Sequence, residues 1–361
     1  MGGVFCLHGI VDTAADLEEC PGVVGLDGTS PDGIVAYRGI GCVVGAHPGT
    51  ELRSLPRETL IRYLFRHQQV VERVMQRHTV LPVKFGSTVD SREDARALLV
   101  QAHRDLTEAL ALMRDKVEVE VVATWDVERT LEEVGREEGV IQAREAIVAG
   151  GNSTLEDKVR LGQVVKERLD RRRNAHRERM LDVLQPLAVG AAPNALIAED
   201  MVVNVAFLVE RARVSQFDDG VRELDSLFGN RITFRVIGPL PPYSFSTVEI
   251  TQLTPEQVEQ ARQELGLPGA HGETEVRKAY RRLAAEVQRK EPSGTKTPAD
   301  RLARLRWASE VLQASSRRQA SRGGRSDVSG GSAADRLFVV SLRGTGYQEV
   351  EAARFAGAIR V

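Results

Sequence analysis

The sequence contains few cysteines and no long apolar run. Its three cysteines, Cys6, Cys20 and Cys42, form neither an even set nor a CxxC pair, which argues against a disulfide framework and a structural zinc site. The longest apolar stretch, Met201–Val209, is broken by Asn204 and is far shorter than the ~20 residues that cross a bilayer, so it predicts a buried strand. The N-terminus lacks the basic flank, long apolar run and small-residue cleavage site of a secretory signal. We therefore expect a cytoplasmic protein without a membrane span.

Motifs that bind phosphate, nucleotides or metal ions are missing as well. The sequence has no GxxxxGK[ST], no GxGxxG between a strand and a helix, no HExxH and no DxDxDG. Adjacent carboxylates such as Glu132 and Glu133 point about 100° apart on a helix and normally face solvent, which gives them no general acid–base role. We therefore predict no enzymatic activity, no cofactor and no small-molecule substrate. An enzyme with an unrecognised site remains an alternative.

Histidine and cysteine side chains offer one weak candidate for covalent chemistry. His8 lies two residues from Cys6, so a strand would place both on one face as a minimal Cys–His pair. The sequence shows no third group to orient them, and a structural role is the favoured interpretation. His67, His78 and His103 lie on or near two predicted helices without metal-ligand spacing, which predicts surface or cap positions for them.

Length and charge indicate several domains with one basic appendage. The 361 residues correspond to two or three domains of ~100–200 residues each. The formal net charge is −2, but residues 271–326 contain 14 Lys and Arg against six Asp and Glu, which gives this segment +8 and the rest −10. Nucleic-acid binding through the segment is an unfavoured alternative, because its aromatic residues, Tyr280 and Trp307, are better explained as helical core.

Residues 1–116 are predicted to form an N-terminal α+β domain. The first 50 residues alternate short apolar runs with glycine-containing turns, which is typical of a small sheet. Pro56 opens an amphipathic helix with apolar spacing of three and four residues. The positions of this stripe are Ile61, Leu64, Phe65, Gln68, Val71 and Met75. Val80–Phe85 predicts a short strand closed by Gly86, and a second amphipathic helix follows, capped by Asp90 or Ser91.

Residues 117–250 are predicted to form a second α+β domain with a ferredoxin-like fold. Val117–Trp125 alternates valine with polar residues such as Glu118, which marks a half-buried strand with its glutamates on the solvent face. Residues 127–149 and 154–188 are helical in composition and form a two-helix excursion. The remaining order, strand, helix, strand, gives a ferredoxin-like plait with one strand missing or displaced.

The last hundred residues are predicted to add helices and a tail. Residues 253–318 read as a basic helical region, residues 319–334 as a flexible linker rich in glycine and serine, and residues 335–361 as a tail. Within the tail, Leu337–Leu342 is an apolar strand that is costly to leave in water. We predict that it docks on an exposed sheet edge, either of its own chain or of a neighbour.

Two segments are distinctive enough to identify a family. Residues 77–86 read RHTVLPVKFG, where a proline inside a short strand marks an edge or a bulge, and residues 238–245 read GPLPPYSF, where three prolines enforce an extended segment. At this separation the two segments resemble those of the GvpL/GvpF family of gas vesicle proteins, and the likeness extends over about residues 1–250. The motif positions are Leu81, Pro82, Lys84, Phe85, Gly86, Gly238, Pro239, Pro241, Pro242, Tyr243 and Phe245.

The resemblance to this family implies a function in gas vesicle formation. It implies a non-enzymatic protein, located in the cytoplasm and at the gas vesicle, that assists assembly or forms a minor part of the shell. Its partners would be the small hydrophobic shell protein GvpA and other gas vesicle proteins. Contact by strand addition or through an apolar groove fits such a client, and either Val80–Phe85 or Leu337–Leu342 would supply the edge.

A second resemblance covers about residues 265–318. Leu265–Leu267, Val276–Ala284 and Trp307–Leu312 resemble a J domain, the helical hairpin that recruits a heat-shock ATPase chaperone. The positions where that family carries His-Pro-Asp are here Gln288, Arg289 and Lys290. Without that tripeptide the resemblance implies a docking scaffold that does not stimulate the ATPase. A co-chaperone adaptor is therefore the alternative function.

Overall fold

The computed structural model describes most of the chain. The described residues are 4–12, 33–47, 49, 52–149, 154–267, 269, 272–290, 296–321 and 336–344. Cys20, most of the predicted linker 319–334 and the tail beyond Gly344 lie outside these ranges.

The chain divides into two compact units. The first contains residues 1–114 and 246–343, and the second contains residues 115–245. The segment 253–318, which the sequence suggested as a domain of its own, lies within the first unit because its helices and the strands beside them pack against the N-terminal residues. The two units are described separately below.

The N-terminal part of the first unit is an antiparallel sheet with two helices. Its elements are β1 (Phe5–Asp12), β2 (Gly33–Tyr37), β3 (Ile40–Ala46), α1 (Arg57–Met75), β4 (Val80–Pro82), β5 (Thr88–Val89) and α2 (Arg92–Met113). The strand order is β2-β3-β1-β4, and β5 also pairs with β1. The Ser91 hydroxyl accepts a hydrogen bond from the Asp94 backbone N–H and so caps α2, as predicted.

Helix α1 differs from its prediction in the side chains that it buries. Its buried residues begin at His67 and continue to Met75, where the helix contacts β1 and β4. Ile61, Leu64 and Phe65, predicted to share the apolar stripe with Val71 and Met75, are exposed instead. The helix is amphipathic along its length, but the sheet supplies packing partners only for its C-terminal half.

The second unit is a four-stranded sheet with helices. Its elements are β6 (Lys116–Trp125), α3 (Val127–Gly135), α4 (Glu138–Ala149), α5 (Leu155–Leu184), β7 (Gly190–Pro193), β8 (Met201–Glu210), α6 (Val214–Phe228) and β9 (Ile232–Leu240). The strand order is β7-β8-β6-β9, and every pairing is antiparallel. Helices α3 to α5 lie between the first two strands, where the sequence predicted two helices; the predicted helix 127–149 is divided into α3 and α4.

The ferredoxin-like topology is complete, so the expectation of a missing strand was wrong. The missing strand is β7, whose sequence is Gly-Ala-Ala-Pro. It pairs with residues 205–208, in the second half of β8, with Ala192 opposite Ala206. Both alanines are fully buried. A strand of four small residues has no alternation of apolar and polar side chains, which is the signal by which strands are recognised in a sequence.

The C-terminal part of the first unit adds two strands and three helices. These are β10 (Thr247–Leu253), α7 (Pro255–Leu265), α8 (Glu273–Lys290), α9 (Lys296–Ser321) and β11 (Leu337–Arg343). β11 pairs antiparallel with β10 along its full length, from Leu337 opposite Leu253 to Arg343 opposite Thr247. This confirms the predicted docking of the tail strand on a sheet edge and assigns that edge to its own chain. The three helices share one apolar core with Leu253 and Leu337.

Candidate interaction site

The first motif segment forms the end of β4 and a tight turn. Leu81 and Pro82 are buried and pair with Ile10 and Gly9 of β1. The backbone N–H of Lys84 then donates to the Val248 carbonyl at 2.9 Å, which attaches β10 to this edge. Gly86 has a φ of +89°, a left-handed conformation that side-chain-bearing residues rarely adopt. The glycine therefore allows the sharp exit that the sequence predicted.

A pair of buried histidines lies beneath this segment. His67 Nε2 lies 3.0 Å from the Val83 carbonyl oxygen, and the Nδ1 atoms of His8 and His67 are 3.0 Å apart. If His67 donates through Nε2, its Nδ1 must accept, so His8 donates through Nδ1. The ring of Phe85 lies edge-on to His67 at 5.5 Å. The motif segment thus packs on a pair of uncharged polar side chains, and His67 makes the contact.

Both histidines are uncharged near neutral pH. Burial, together with the neighbouring His67, lowers the pKa of His8 to about 3. Burial lowers the pKa of His67 to about 4, against the opposing effect of its bond to Val83. The prediction that His67 occupies a surface or cap position was wrong, since the residue is 2% exposed. Its spacing from Val71 and Val74 places it on the buried stripe of α1 and was the available signal.

The two cysteines within the described residues lie in the core. Cys6 and Cys42 are both buried and free of disulfides. Burial raises the pKa of the Cys42 thiol to about 12, so it remains protonated at physiological pH. The hydrogen bond of His8 to His67 gives this histidine a structural role.

An ion-pair network joins the first motif segment to both C-terminal strands. Lys84 Nζ lies 2.9 Å from Glu249 Oε1, and Arg343 Nε lies 2.6 Å from Glu249 Oε2. Glu249 is mostly buried, whereas both cations are largely exposed. The Glu249 carboxylate therefore forms ion pairs with the motif residue Lys84 and with Arg343 at the end of β11.

The second motif segment ends β9 and forms a proline-rich turn in the second unit. Gly238 lies against β6, where an added Cβ would come within 3.0 Å of the Glu118 carbonyl oxygen. Pro239 is exposed, whereas Pro241, Pro242 and Phe245 are buried and Tyr243 is half-buried. The N–H groups of Tyr243 and Phe245 donate to the carbonyls of Pro241 and Pro242. The segment is consequently a fixed turn packed on the sheet, and β10 follows it directly in the chain.

A buried glutamate holds this turn. The two carboxylate oxygens of Glu118 accept hydrogen bonds from the Ser244 backbone N–H at 2.7 Å and from the Ser244 hydroxyl at 2.9 Å. Glu118 is 5% exposed, although its place in the alternating pattern of β6 had predicted the solvent face. Burial raises its pKa to about 7, against the effect of the two bonds from Ser244. Nothing in the local sequence signals this contact, because its partner lies 126 residues away.

Each unit has exposed apolar side chains among its described residues. On α1, Ile61 is 54%, Leu64 40% and Phe65 61% exposed. These three side chains, at positions i, i+3 and i+4, form one face, which we call the α1 stripe. In the second unit, Val148 at the end of α4 and Leu155 at the start of α5 are also strongly exposed. Surfaces of this kind are typical of sites for partner proteins.

The J-domain-like segment has a helical core, and the three positions that align with His-Pro-Asp lie within a helix. α8 and α9 pack together, and Val276, Ala279, Leu305 and Ala308 are buried between the helices. Gln288, Arg289 and Lys290 are the last three residues of α8. The described residues contain no cluster of His, Cys, Asp and Glu suited to a metal ion, and no described helix is sufficiently long and apolar to span a bilayer.

Comparison with protein families gives a match that covers two thirds of the chain. The model of the family "Gas vesicle synthesis protein GvpL/GvpF" matches residues 5–247. Gas vesicle protein F of Dolichospermum flosaquae is 26% identical over 191 residues, which cover 52% of this chain and 78% of that protein. Gas vesicle protein F of Streptomyces sp. (strain CB03234) is 31% identical over 185 residues, which cover 51% and 77%.

Solved structures show the same fold. The crystal structure of the gas vesicle protein GvpF from Anabaena sp. PCC7120 superimposes with a TM-score of 0.60 at 25% identity, covering 67% of this chain and 97% of that one. The structure of GvpF from Microcystis aeruginosa gives a TM-score of 0.55 at 24% identity. Since two thirds of this chain account for nearly all of the Anabaena protein, the remaining third is additional to it.

The histidine pair predicts a loss of stability in acid. Because the folded pKa values lie below the ordinary 6.5, the unfolded chain binds protons that the native pair excludes, and the free energy of unfolding falls as pH drops from about 6.5 towards 4. The slope is at most about 1.4 kcal/mol per pH unit for each histidine. His67→Gln keeps a donor and an acceptor but does not titrate, so it flattens this dependence.

Urea unfolding at pH 7, 6 and 5 measures this effect in the first unit. The chain has two tryptophans, so a Trp125→Phe background leaves Trp307 as the fluorescent reporter of that unit. His78→Gln, just after α1, is the matched control and should keep the wild-type slope. An unchanged slope in His67→Gln would contradict the assignment.

Glu118 predicts the opposite pH dependence in the second unit. Its folded pKa lies above the ordinary 4.5, so wild-type stability falls as pH rises from 4.5 to about 7 and then levels. In Glu118→Gln the amide oxygen accepts the Ser244 N–H and the NH₂ donates to the Ser244 hydroxyl. The free energy of unfolding of the variant should therefore rise relative to that of the wild type by up to about 1.4 kcal/mol per pH unit over this window.

Trp125 fluorescence in a Trp307→Phe background reports on the second unit. Glu210→Gln, at the exposed end of β8, is the control and should track the wild type at every pH. A constant difference between Glu118→Gln and the wild type from pH 5 to 8 would show that Glu118 is not a buried titrating group.

Proposed function

The chain belongs to the gas vesicle synthesis protein GvpL/GvpF family, and from this premise we propose that it binds the hydrophobic shell protein GvpA and assists gas vesicle assembly. It acts at the gas vesicle and in the cytoplasm without catalysing a reaction. A small, strongly apolar, sheet-forming subunit aggregates unless its surface is covered before it joins the growing wall. The physical task is to cover that surface reversibly.

The observation that carries the proposal is the α1 stripe. Ile61, Leu64 and Phe65 leave large apolar side chains in water on one helix face, within the part of the chain that the family model matches. The exposed residues Arg57 and Arg62 border the stripe. An apolar centre with a polar rim is typical of a surface that binds another protein and releases it again.

The co-chaperone alternative has less support. It would act through α8 and α9, whose packing resembles a helical hairpin, but the positions that would carry the stimulating tripeptide hold Gln288, Arg289 and Lys290. A titration of a heat-shock ATPase with this protein is expected to be flat.

Co-expression with GvpA tests the proposal. The wild-type chain should raise the soluble fraction of GvpA and co-purify with it. Replacing the α1 stripe by serine, as Ile61→Ser, Leu64→Ser and Phe65→Ser together, should weaken binding at least about tenfold, because interface-centre side chains each contribute more than about 1 kcal/mol. Since the three side chains are already exposed, the fold should be unaffected.

Two exposed apolar side chains of the second unit, Val148 and Leu155, supply the matched control. Val148→Ser with Leu155→Ser removes comparable apolar area from the other unit and should leave GvpA solubility at the wild-type level. If GvpA is equally insoluble with and without the wild-type chain and does not co-purify, the proposed function is excluded. If only the control variant fails, binding occurs through the second unit.

A further inference from the structure

Strand β11 occupies a groove between α2, which lies in the family part of the chain, and β10, which follows that part. The groove has the edge of β10 on one side and α2 on the other, and α9 also contacts β11. Its α2 residues, including Asp94 and Gln101, lie inside the family match, whereas β11 lies about ninety residues beyond its end at residue 247. A segment outside the family match thus covers one face of α2, a helix inside that match.

The groove holds the start of β11 by three kinds of contact. Arg336 Nη1 lies 3.0 Å from Asp94 Oδ2 and also pairs with Asp90. These two carboxylates therefore bind a basic residue immediately before β11. The Gln101 side chain donates to the Arg336 carbonyl at 2.9 Å and accepts from the Phe338 N–H at 3.0 Å. Leu337 and Phe338 are buried at 5% and 1% exposure. The groove therefore binds the positive charge, the extended backbone and the apolar side chains at the start of β11.

The remainder of β11 is held much less firmly. Val339, Val340 and Ser341 are half-buried, and Leu342 and Arg343 are exposed. A cavity between the strand, α2 and α9 is lined by the polar residues Gln101, Asp105, Glu310 and Gln313. Arg343 is 74% exposed, so its ion pair with Glu249 contributes little. The C-terminal half of β11 has few buried side chains and borders a cavity, so this half opens at lower cost than the start of the strand.

From these contacts we propose that β11 is an exchangeable strand, and that the groove between β10 and α2 binds an extended apolar segment of a partner protein with a basic residue immediately before its first apolar position. The partner segment replaces β11 by forming the same antiparallel ladder with β10. The charge of the occupant is set by Asp90 and Asp94, because Asp94 is 1% exposed and an uncompensated carboxylate there is costly. β11 itself shows the sequence that the groove accepts.

Binding of a fluorescent peptide of residues 335–344 to the full chain tests the proposal. In the wild type β11 competes, so apparent affinity is low. Arg336→Ala with Phe338→Ala in the chain opens the groove and should raise peptide affinity by about tenfold or more, because the competent fraction increases. Adding Gln101→Ala to this opened chain should abolish binding, since the side chain that contacts the peptide backbone is lost.

Two matched controls define specificity. Arg343→Ala changes the exposed end of the same strand and should leave peptide affinity at the wild-type value. A peptide with Arg336→Glu and Phe338→Ser should not bind the opened chain. Equal binding of both peptides, or no gain in an opened chain whose circular dichroism remains native, would overturn the proposal.

Hydrogen exchange on the unmodified chain provides a test that needs no variant. Amides of β11 should exchange faster than those of β1 by subglobal opening, and equal protection would overturn the proposal. Dimers that grow with concentration and exchange β11 between copies would also overturn it, by showing that the occupant is a second copy. The assays contain no GvpA, so their failure leaves the proposed function untouched.

Discussion

The edge formed by Val83 and Lys84 must be covered, and this requirement determines how the C-terminal third is attached to the first unit. β4 is short and continues into the motif turn, which leaves backbone groups unpaired unless another strand arrives. β10 supplies that strand through the bond from Lys84 to Val248, and β11 then covers the outer edge of β10. The three C-terminal helices follow because Leu253 and Leu337, from these two strands, lie in the helical core.

Buried polar groups fix the two motif segments in their units. A histidine pair supports the turn after β4, and Glu118 supports the turn after β9. Each group satisfies its partners within the core, where an unmade hydrogen bond would cost more than a made one gains. Such groups contribute more to selecting one turn conformation than to the free energy of unfolding. This agrees with the distinctive sequences of the two motif segments.

The sequence predicts best those elements whose signal is local. The strand at β6, the Ser91 cap of α2 and the glycine exit at Gly86 depend on neighbouring residues and are found as expected. β7 was missed because small residues carry no periodicity. Glu118 and the exposed half of α1 were assigned to the wrong environment because burial there depends on segments far away in the chain: the turn at Ser244, and the limited contact of the sheet with α1.

Glu249 connects the state of β11 to the first motif segment. While β11 is docked, the Glu249 carboxylate is shared between Lys84 and Arg343, one cation on each oxygen. Departure of the strand would remove Arg343 and expose the Glu249 carboxylate to water, which would screen its remaining ion pair with Lys84. The docked strand and the first motif segment therefore share one carboxylate. Because Arg343 is largely exposed, this link is weak, and the backbone bond from Lys84 to Val248 is the stronger connection between the motif turn and β10.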